Sequence, residues 1–430
     1  MECNIQIFID DRWSDCASVA VQPRHRGLAD SRAVFEYDLD YAFGSHDAAV
    51  SLRFPVDAVR HVLEKWPAFL YDLIPQGNGR KFLLGELKLA DGAEADFPLI
   101  CAGAFNPIGN IRIKEAADYF HAHVQRHDVA STEQGFTLEQ MVERGEEFHE
   151  RMMVYGMLAA GTTGVQGAAP KYLLTKDHHG LWHADAALPD DRAAEHFIVK
   201  LPRGKEAVDK KLLRNEAAYM RVAKAMGLRT HGDLGHHGDM LFVPRFDRVV
   251  DSGRVSRLHQ ESAASVAGIV GFDARPSQFD LLHALRAVVT DKTNETVEFL
   301  KRDVLNLAMR NTDNHARNTA VQQIGKQVRL TPLFDFAPMY LDPEGIARAA
   351  RWYHPATKKE LGNWTDVLLA LDLDSAERRH IVTELKHFGR LMSGLNDCMK
   401  RAGVDDDVID YLGMPVAEQT RQLCGLAEEP

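Results

Sequence analysis

The stretch "MRNTDNHARNTAV", Met309 to Val321, decides how the rest of the chain is read. It sets Asn311, Asp313, Asn314, His315 and Asn318 within eight positions, and "RLTPLFDFAPM" follows with Asp335 between two phenylalanines. Two explanations compete. Short polar side chains at this density make a solvated turn, or they gather oxygen ligands for a metal and a phosphate.

Phosphoryl transfer from ATP needs a backbone cradle for phosphates, a lysine, magnesium ligands and a carboxylate beside the attacking hydroxyl. Kinase-type catalytic loops place the carboxylate and a metal-binding Asn five residues apart, and Asp313 and Asn318 have that separation. Asp335 follows Asn318 by 17 residues, enough for two strands and a turn, and "NTAVQQIGKQVRLTPLFD" reads as a hairpin turning at Gly325. A D-x-x-x-x-N run alone is common; the F-D-F at hairpin distance is what gives it weight.

A rival loop, "HGDLGHHGD", starts at His231 and opens like the catalytic loop of aminoglycoside-type small-molecule kinases. Five residues after Asp233 stands Gly238, so the metal-binding Asn is missing. The candidate phosphate lysine is Lys200, in the short apolar strand "HFIVKLP". From it to Asp233 there are 33 residues, too few for a helix, further strands and a hinge; to Asp313 there are 113. The His231 stretch therefore reads as a helix-to-strand turn. Upstream, "GTTGVQG" (Gly161–Gly167) precedes Lys200 as a phosphate-covering loop should, although it is neither a P-loop nor a full G-x-G-x-x-G, and a plain turn is the alternative. "KKLLRNEAAYMRVAKAMGL" is an amphipathic helix closed by Gly227; its Glu216 either orients Lys200 or is simply an exposed helical glutamate. "FVPRFDR" (Phe242–Arg248) would be the hinge, with Phe246 as a ring contact to adenine.

The bulk numbers agree with a globular enzyme. The 430 residues suit two or three domains, with boundaries expected near 130 and 275. The first hundred residues read as β-rich, with "NIQIFID", "AVFEYDLDYAF" and "AVSLRFPVD" as strands, and the chain after Pro276 is mainly helical. The five cysteines are scattered and read as free thiols of a reducing cytoplasm. No secretory leader or membrane span is visible. With 51 basic against 62 acidic residues the net charge is −11, which disfavours direct binding to nucleic-acid backbone; the basic run Lys200–Arg229 reads as a solvated helix face. His121, His123 and His127 include an i, i+4 pair without the H-E-x-x-H glutamate, and read as surface histidines. No D-x-H and G-D-x-x-D set accompanies "DNHARN", as a metal-dependent phosphatase would require.

The ordered set resembles the HipA-type serine/threonine kinases, toxin components of bacterial toxin–antitoxin pairs. "VFEYDLDYAF", "AVSLRFPVD" and "FLYDLIPQGNGRKFLL" are similar to the family's N-terminal domain, and "GTTGVQGAAPKYLL" to its phosphate loop. "HFIVKLPRG", "NEAAYMRVAKAMGL", "VPRFDR" and "RLHQESAASVAGI" follow in family order; "NTDNHARNTAV" and "LFDFAP" then match the catalytic loop and the metal-binding Asp.

The resemblance implies an α+β, protein-kinase-like two-lobed fold. A small β-rich N-terminal subdomain (1–130) would precede an N-lobe with phosphate loop, lysine strand and hinge (131–275), then a mainly helical C-lobe (276–430). It implies ATP and magnesium as cofactors, Asp313 as catalytic carboxylate, and Asn318 and Asp335 as metal ligands. Lys200, His315 and the loop residues Gly164, Val165 and Gln166 would lie at the phosphates. The acceptor would be a serine or threonine of a protein, an aminoacyl-tRNA synthetase in some members, and the outcome growth arrest. The implied partner is a HipB-like helix-turn-helix antitoxin, through which alone the acidic chain would reach DNA. The chain departs from the family in three places. Gly161 stands where many members carry a regulatory serine, with Thr162 and Thr163 next as substitute phosphorylation sites; Lys171 follows "QGAAP" in place of the usual Q-x-K spacing; Pro244 replaces an acidic hinge residue. A stand-alone HipA-like kinase without an adjacent antitoxin, a small-molecule kinase and a non-catalytic, ATP- or antitoxin-binding corepressor are the alternatives.

Overall fold

The structure, a computed structural model, describes residues 1–24, 27–126, 135–143 and 170–427. The chain divides into two compact units. The first comprises Met1–Arg203, His237–Glu261 and Gly268–Gly271; the second comprises Gly204–His236, Ser262–Ala267 and Phe272–Pro430.

The first unit holds two antiparallel sheets. One is built from β1 (Glu2–Ile9), β2 (Arg12–Arg24), β3 (Gly27–Tyr37), β4 (His61–Leu63) and β5 (Ile111–Ile113), in the order β4-β3-β2-β1-β5. Period-2 alternation buries one face of β1, where Cys3, Ile5 and Ile7 are fully covered. Helices α1 (Gly77–Leu87), α2 (Ala93–Gly103) and α3 (Lys114–Arg126) belong to the same unit. The other sheet contains β6 (Lys171–Asp177), β7 (Trp182–Ala184), β8 (Ala193–Lys200), β9 (Gly235–His237) and β10 (Met240–Pro244), in the order β7-β6-β8-β10-β9. A single apolar cluster runs from Cys3 through Phe35, Leu70, Ile100 and Val199 to Phe242, so one core serves both sheets. The expected strand "AVSLRFPVD" is instead a turn closed by an isolated Ser51–Phe54 bridge; Pro55 has no N–H for a ladder, and Glu261 captures the Ser51 hydroxyl and the Leu52 N–H at 2.7 and 2.8 Å. A short hairpin, β11 (Arg248–Asp251) and β12 (Arg254–Arg257), completes the described strands named for this unit.

The second unit is mainly helical. Helix α4 (Ala207–Ala225) ends where Gly227 takes φ +80, the left-handed cap a glycine adopts without a Cβ penalty. Helices α5 (Gln278–Val288) and α6 (Lys292–Ala308) lead into the Met309–Val321 stretch, followed by the hairpin β13 (Ala320–Ile324) and β14 (Gln327–Leu330), which turns at Gly325 as expected. Four helices close the chain: α7 (Trp364–Ala370), α8 (Ser375–Met392), α9 (Leu395–Ala402) and α10 (Asp406–Cys424). All five cysteines are free, and among the described residues no helix is long and apolar enough to cross a membrane.

Candidate functional site

Two backbone anchors set the Met309–Val321 loop. At the end of α6, Arg310 adopts φ +54 and turns the chain out of the helix, while the fully buried Tyr219 of α4 donates its hydroxyl to the Met309 carbonyl at 3.0 Å. The same Tyr219 ring packs on Phe336, centroids 5.2 Å apart, so one side chain supports both the start of the loop and the residue after Asp335. Asn311 then joins the two motif segments: its Nδ2 donates to Asn306 Oδ1 at 3.0 Å and to the Asp335 carbonyl at 3.4 Å.

Within the loop, Asn318 Nδ2 donates to the Asp313 carbonyl at 2.8 Å, closing the five-residue span on itself. His315 Nδ1 accepts the Arg317 N–H at 3.3 Å and so starts a single 3-10 turn, Ala316–Asn318; its Nε2 stands 3.6 Å from Asp313 Oδ1. Asp335 sits at φ +50. Few residues with a Cβ are held there, Asp and Asn being the ones that tolerate it best, and such conformations concentrate at functional sites. Asp313, His315, Asn318 and Asp335 line one pocket with Asn306 and Asn311. The Asn311 Oδ1 is buried there and has no hydrogen-bond partner among the described residues. A buried acceptor left open costs about 1–3 kcal/mol, a cost that a donor or a cation in the pocket would relieve. Carboxylate and amide oxygens are the hard ligands that suit magnesium, which keeps several waters and takes few protein ligands.

In the first unit, Lys200 ends β8 and is the cross-strand partner of Lys171 at the start of β6. Both are buried, at 6% and 8% exposure. Directly opposed residues of an antiparallel pair share a face, and two cations so placed suit the oxygens of a phosphate. Lys171, whose altered spacing left its role open, thus joins Lys200 by register. Phe246 is half-buried between β10 and β11. Its neighbours Arg245 and Asp247 are buried in an ionic network with Asp185 and Arg248 that the hinge reading overlooked. Glu216, on α4, is buried, not an exposed helical glutamate, and belongs to the second unit while Lys200 belongs to the first. Thr162, Thr163, Gly164, Val165 and Gln166 lie outside the described residues.

The rival carboxylate Asp233 is on the surface, its side chain 73% exposed and paired with Lys224 at 2.8 Å. It lies between α4 and β9, in the helix-to-strand turn expected of it. Lys224 holds its carboxyl below the usual range by a hydrogen bond and by its charge. Asp233→Ala is therefore expected to change stability by less than about 0.5 kcal/mol, checked by thermal melts at neutral pH.

The HipA N-terminal domain model matches residues 25–114, and the HipA-like C-terminal domain model matches residues 163–391. A search of curated proteins finds no match. Among solved structures, HipA from the Shewanella oneidensis MR-1 HipA, HipB and operator DNA complex superposes with a TM-score of 0.59 at 18% identity, over 98% of this chain and 96% of that one. The Helicobacter pylori proinflammatory kinase CtkA aligns at 12% identity and a TM-score of 0.38, over 54% of this chain and 90% of its own. The second family model alone spans more than half of the 430 residues, and it contains both the Asp313 loop and Asp335: the chain belongs to the HipA family.

Proposed function

We propose that this chain is a magnesium- and ATP-dependent protein serine/threonine kinase that acts as a growth-arresting toxin in the cytoplasm. The observation that carries the reading is the single pocket holding Asp313, His315, Asn318 and Asp335, with Asn311 bonding the Asp335 backbone. In this reading Asp313 accepts the proton of the acceptor hydroxyl. Asn318 and Asp335 hold magnesium, which when bound neutralises charge on the phosphates. Lys200 and Lys171 take phosphate oxygens, Glu216 orients Lys200, and His315 keeps its imidazole beside the Asp313 carboxylate. Gly164, Val165 and Gln166 cover the phosphates, Phe246 contacts adenine, and Thr162 or Thr163 is the site at which phosphorylation displaces the loop. Positioning and fixed charge supply most of the rate.

The partner we propose is a HipB-like antitoxin, since the Shewanella HipA was solved with HipB and operator DNA. DNA would be reached only through that basic partner, because this chain carries a net charge of −11. The competing class is a corepressor that binds nucleotide and partner without chemistry. Growth of cells expressing wild type or Asp313→Ala separates them: the kinase reading expects arrest only with wild type, together with ATP turnover by the purified wild-type protein alone. Equal arrest by both proteins would contradict it.

A further inference from the structure

Next to Asp313 stands Asn314, buried at 8% exposure, and it uses both ends of its amide on a distant segment. Its Oδ1 accepts the Ala349 and Ala350 N–H groups at 2.9 and 3.3 Å, and its Nδ2 donates to the Ala350 carbonyl at 2.7 Å. Asp303, on α6, fixes the same segment. It accepts from Arg348 Nη2 at 2.7 Å and Trp352 Nε1 at 2.8 Å, with Gln278 Nε2 at 3.2 Å. The Gln278 N–H donates to the Arg351 carbonyl at 2.8 Å, and Trp352 packs edge-on against Phe279. Residues 348–352 are thus keyed to the residue beside the proposed catalytic carboxylate.

The chain continues from there into a fixed turn. Tyr353 bridges Glu360, the His354 N–H donates to the Lys359 carbonyl at 2.8 Å, and His354 Nδ1 accepts the Ala356 and Thr357 N–H groups, both at 3.2 Å. From Ile346 to Lys359 there is no Asp or Glu, in a chain with an excess of 11 acidic residues. Arg348 and Arg351 have partners in Asp303 and Glu360, while the exposed Lys358 and Lys359 have no ion pair among the described residues. Two lysines on a solvated turn need no explanation by themselves. Held on a segment that the catalytic loop clamps by three hydrogen bonds, they form a cationic surface at a set position relative to Asp313.

We propose that residues 348–359 form the platform on which the acceptor chain lies, keyed to the catalytic loop by Asn314 and Asp303, and that Lys358 and Lys359 select a serine or threonine flanked by acidic residues. This rests on the kinase reading above. Asn314 is a positioning residue: its amide is used on Ala349 and Ala350, and it acts through the platform.

The test uses the full-length protein, labelled ATP with magnesium, and three serine peptides of equal length with acidic, neutral or basic flanks. Wild type is expected to favour the acidic peptide by about tenfold in kcat/KM at low salt, and the preference is expected to shrink at high salt because exposed pairs are screened. Lys358→Glu with Lys359→Glu, on an exposed turn, reverses the order and leaves ATP turnover without peptide unchanged. Asn314→Ala raises KM for peptide about tenfold with KM for ATP within about twofold, and Asn314→Asp does not restore it, because its second carboxylate oxygen opposes the Ala350 carbonyl that Nδ2 bonds in wild type. Transfer that needs Asp313 but ignores peptide charge overturns this proposal and leaves the kinase reading intact. No transfer to any peptide, with ATP turnover equal in wild type and Asp313→Ala, overturns both. A double variant that loses binding to labelled duplex DNA while its peptide order stands assigns the lysines to nucleic acid and overturns the proposal.

Discussion

Phosphoryl transfer by the Asp313→Ala protein is expected to fall by about 10²–10⁴-fold, the usual contribution of a positioned general base, with little change in stability. The structure explains the separation of the two effects. The bond that closes the loop runs from Asn318 to the Asp313 carbonyl, which alanine keeps. The carboxylate itself is part-exposed and stands 3.6 Å from His315 Nε2, beyond hydrogen-bond length, so the fold loses little when it is removed. Asp335 needs a different substitution. At φ +50 alanine adds backbone strain of about 1–2 kcal/mol that asparagine largely avoids, so Asp335→Asn tests the charge without disturbing the turn. It is expected to lose about 10²–10³-fold in kcat, read from initial rates at saturating ATP.

Arg245→Ala is expected to lower the unfolding free energy by about 3–5 kcal/mol, the range for breaking a buried pair by removing one partner. Arg245 is fully covered; its Nη1 donates to Asp185 at 2.9 Å, and its Nε and Nη2 donate to Asp247 at 3.0 and 2.7 Å. Asp247 also accepts the Gly109 N–H at 2.8 Å and Arg248 Nη1 at 2.6 Å, and Asn106 and His196 bond Asp185 at 2.6 and 2.7 Å. The network therefore ties residues 106–109 to β7, β8 and the segment after β10. Losing Arg245 takes the shared guanidinium from two buried carboxylates, Asp185 and Asp247. Burial alone pushes the Asp185 carboxyl up, but the Arg245 charge and the hydrogen bond with His196 outweigh it and hold it well below the ordinary range; Asp247 is depressed in the same way by Arg245 and Arg248. Groups depressed on folding stabilise fully above their unfolded pKa of about 4, and that stability is lost as pH falls through the folded values. The wild-type advantage over Arg245→Ala in denaturant unfolding should therefore be full at pH 7 and shrink below about pH 4.

What the sequence made legible was local. The Asp313-to-Asn318 spacing, the Gly325 turn, the Gly227 cap and the helix-to-strand turn that holds Asp233 each depend on a few neighbouring residues. The parts that were not legible depend on distance. Asn311 reaches Asp335 across 24 positions, Asn314 clamps Ala350 across 36, and Asp303 accepts from Trp352 across 49. Their side chains look like any polar residue of a helix end or loop. "FVPRFDR" read as an apolar hinge strand because Arg245 and Asp247 reveal themselves only when Asp185, 60 residues back, is placed beside them. In the N-terminal sheet, β2 (Arg12–Arg24) escaped notice because Ser14, Asp15 and Ser18 interrupt its apolar pattern. The alternation of "AVSLRFPVD" predicts a strand and gives no sign of the turn that Ser51 and Pro55 make.

In the proposed function, the Asp313 loop transfers phosphate to protein. Its most direct measurement is incubation of cell lysate with labelled ATP, magnesium and purified wild type, Asp313→Ala or Asp233→Ala. Labelled protein bands are expected with wild type and Asp233→Ala and none above background with Asp313→Ala. Bands that persist with Asp313→Ala and vanish with Asp233→Ala would contradict it.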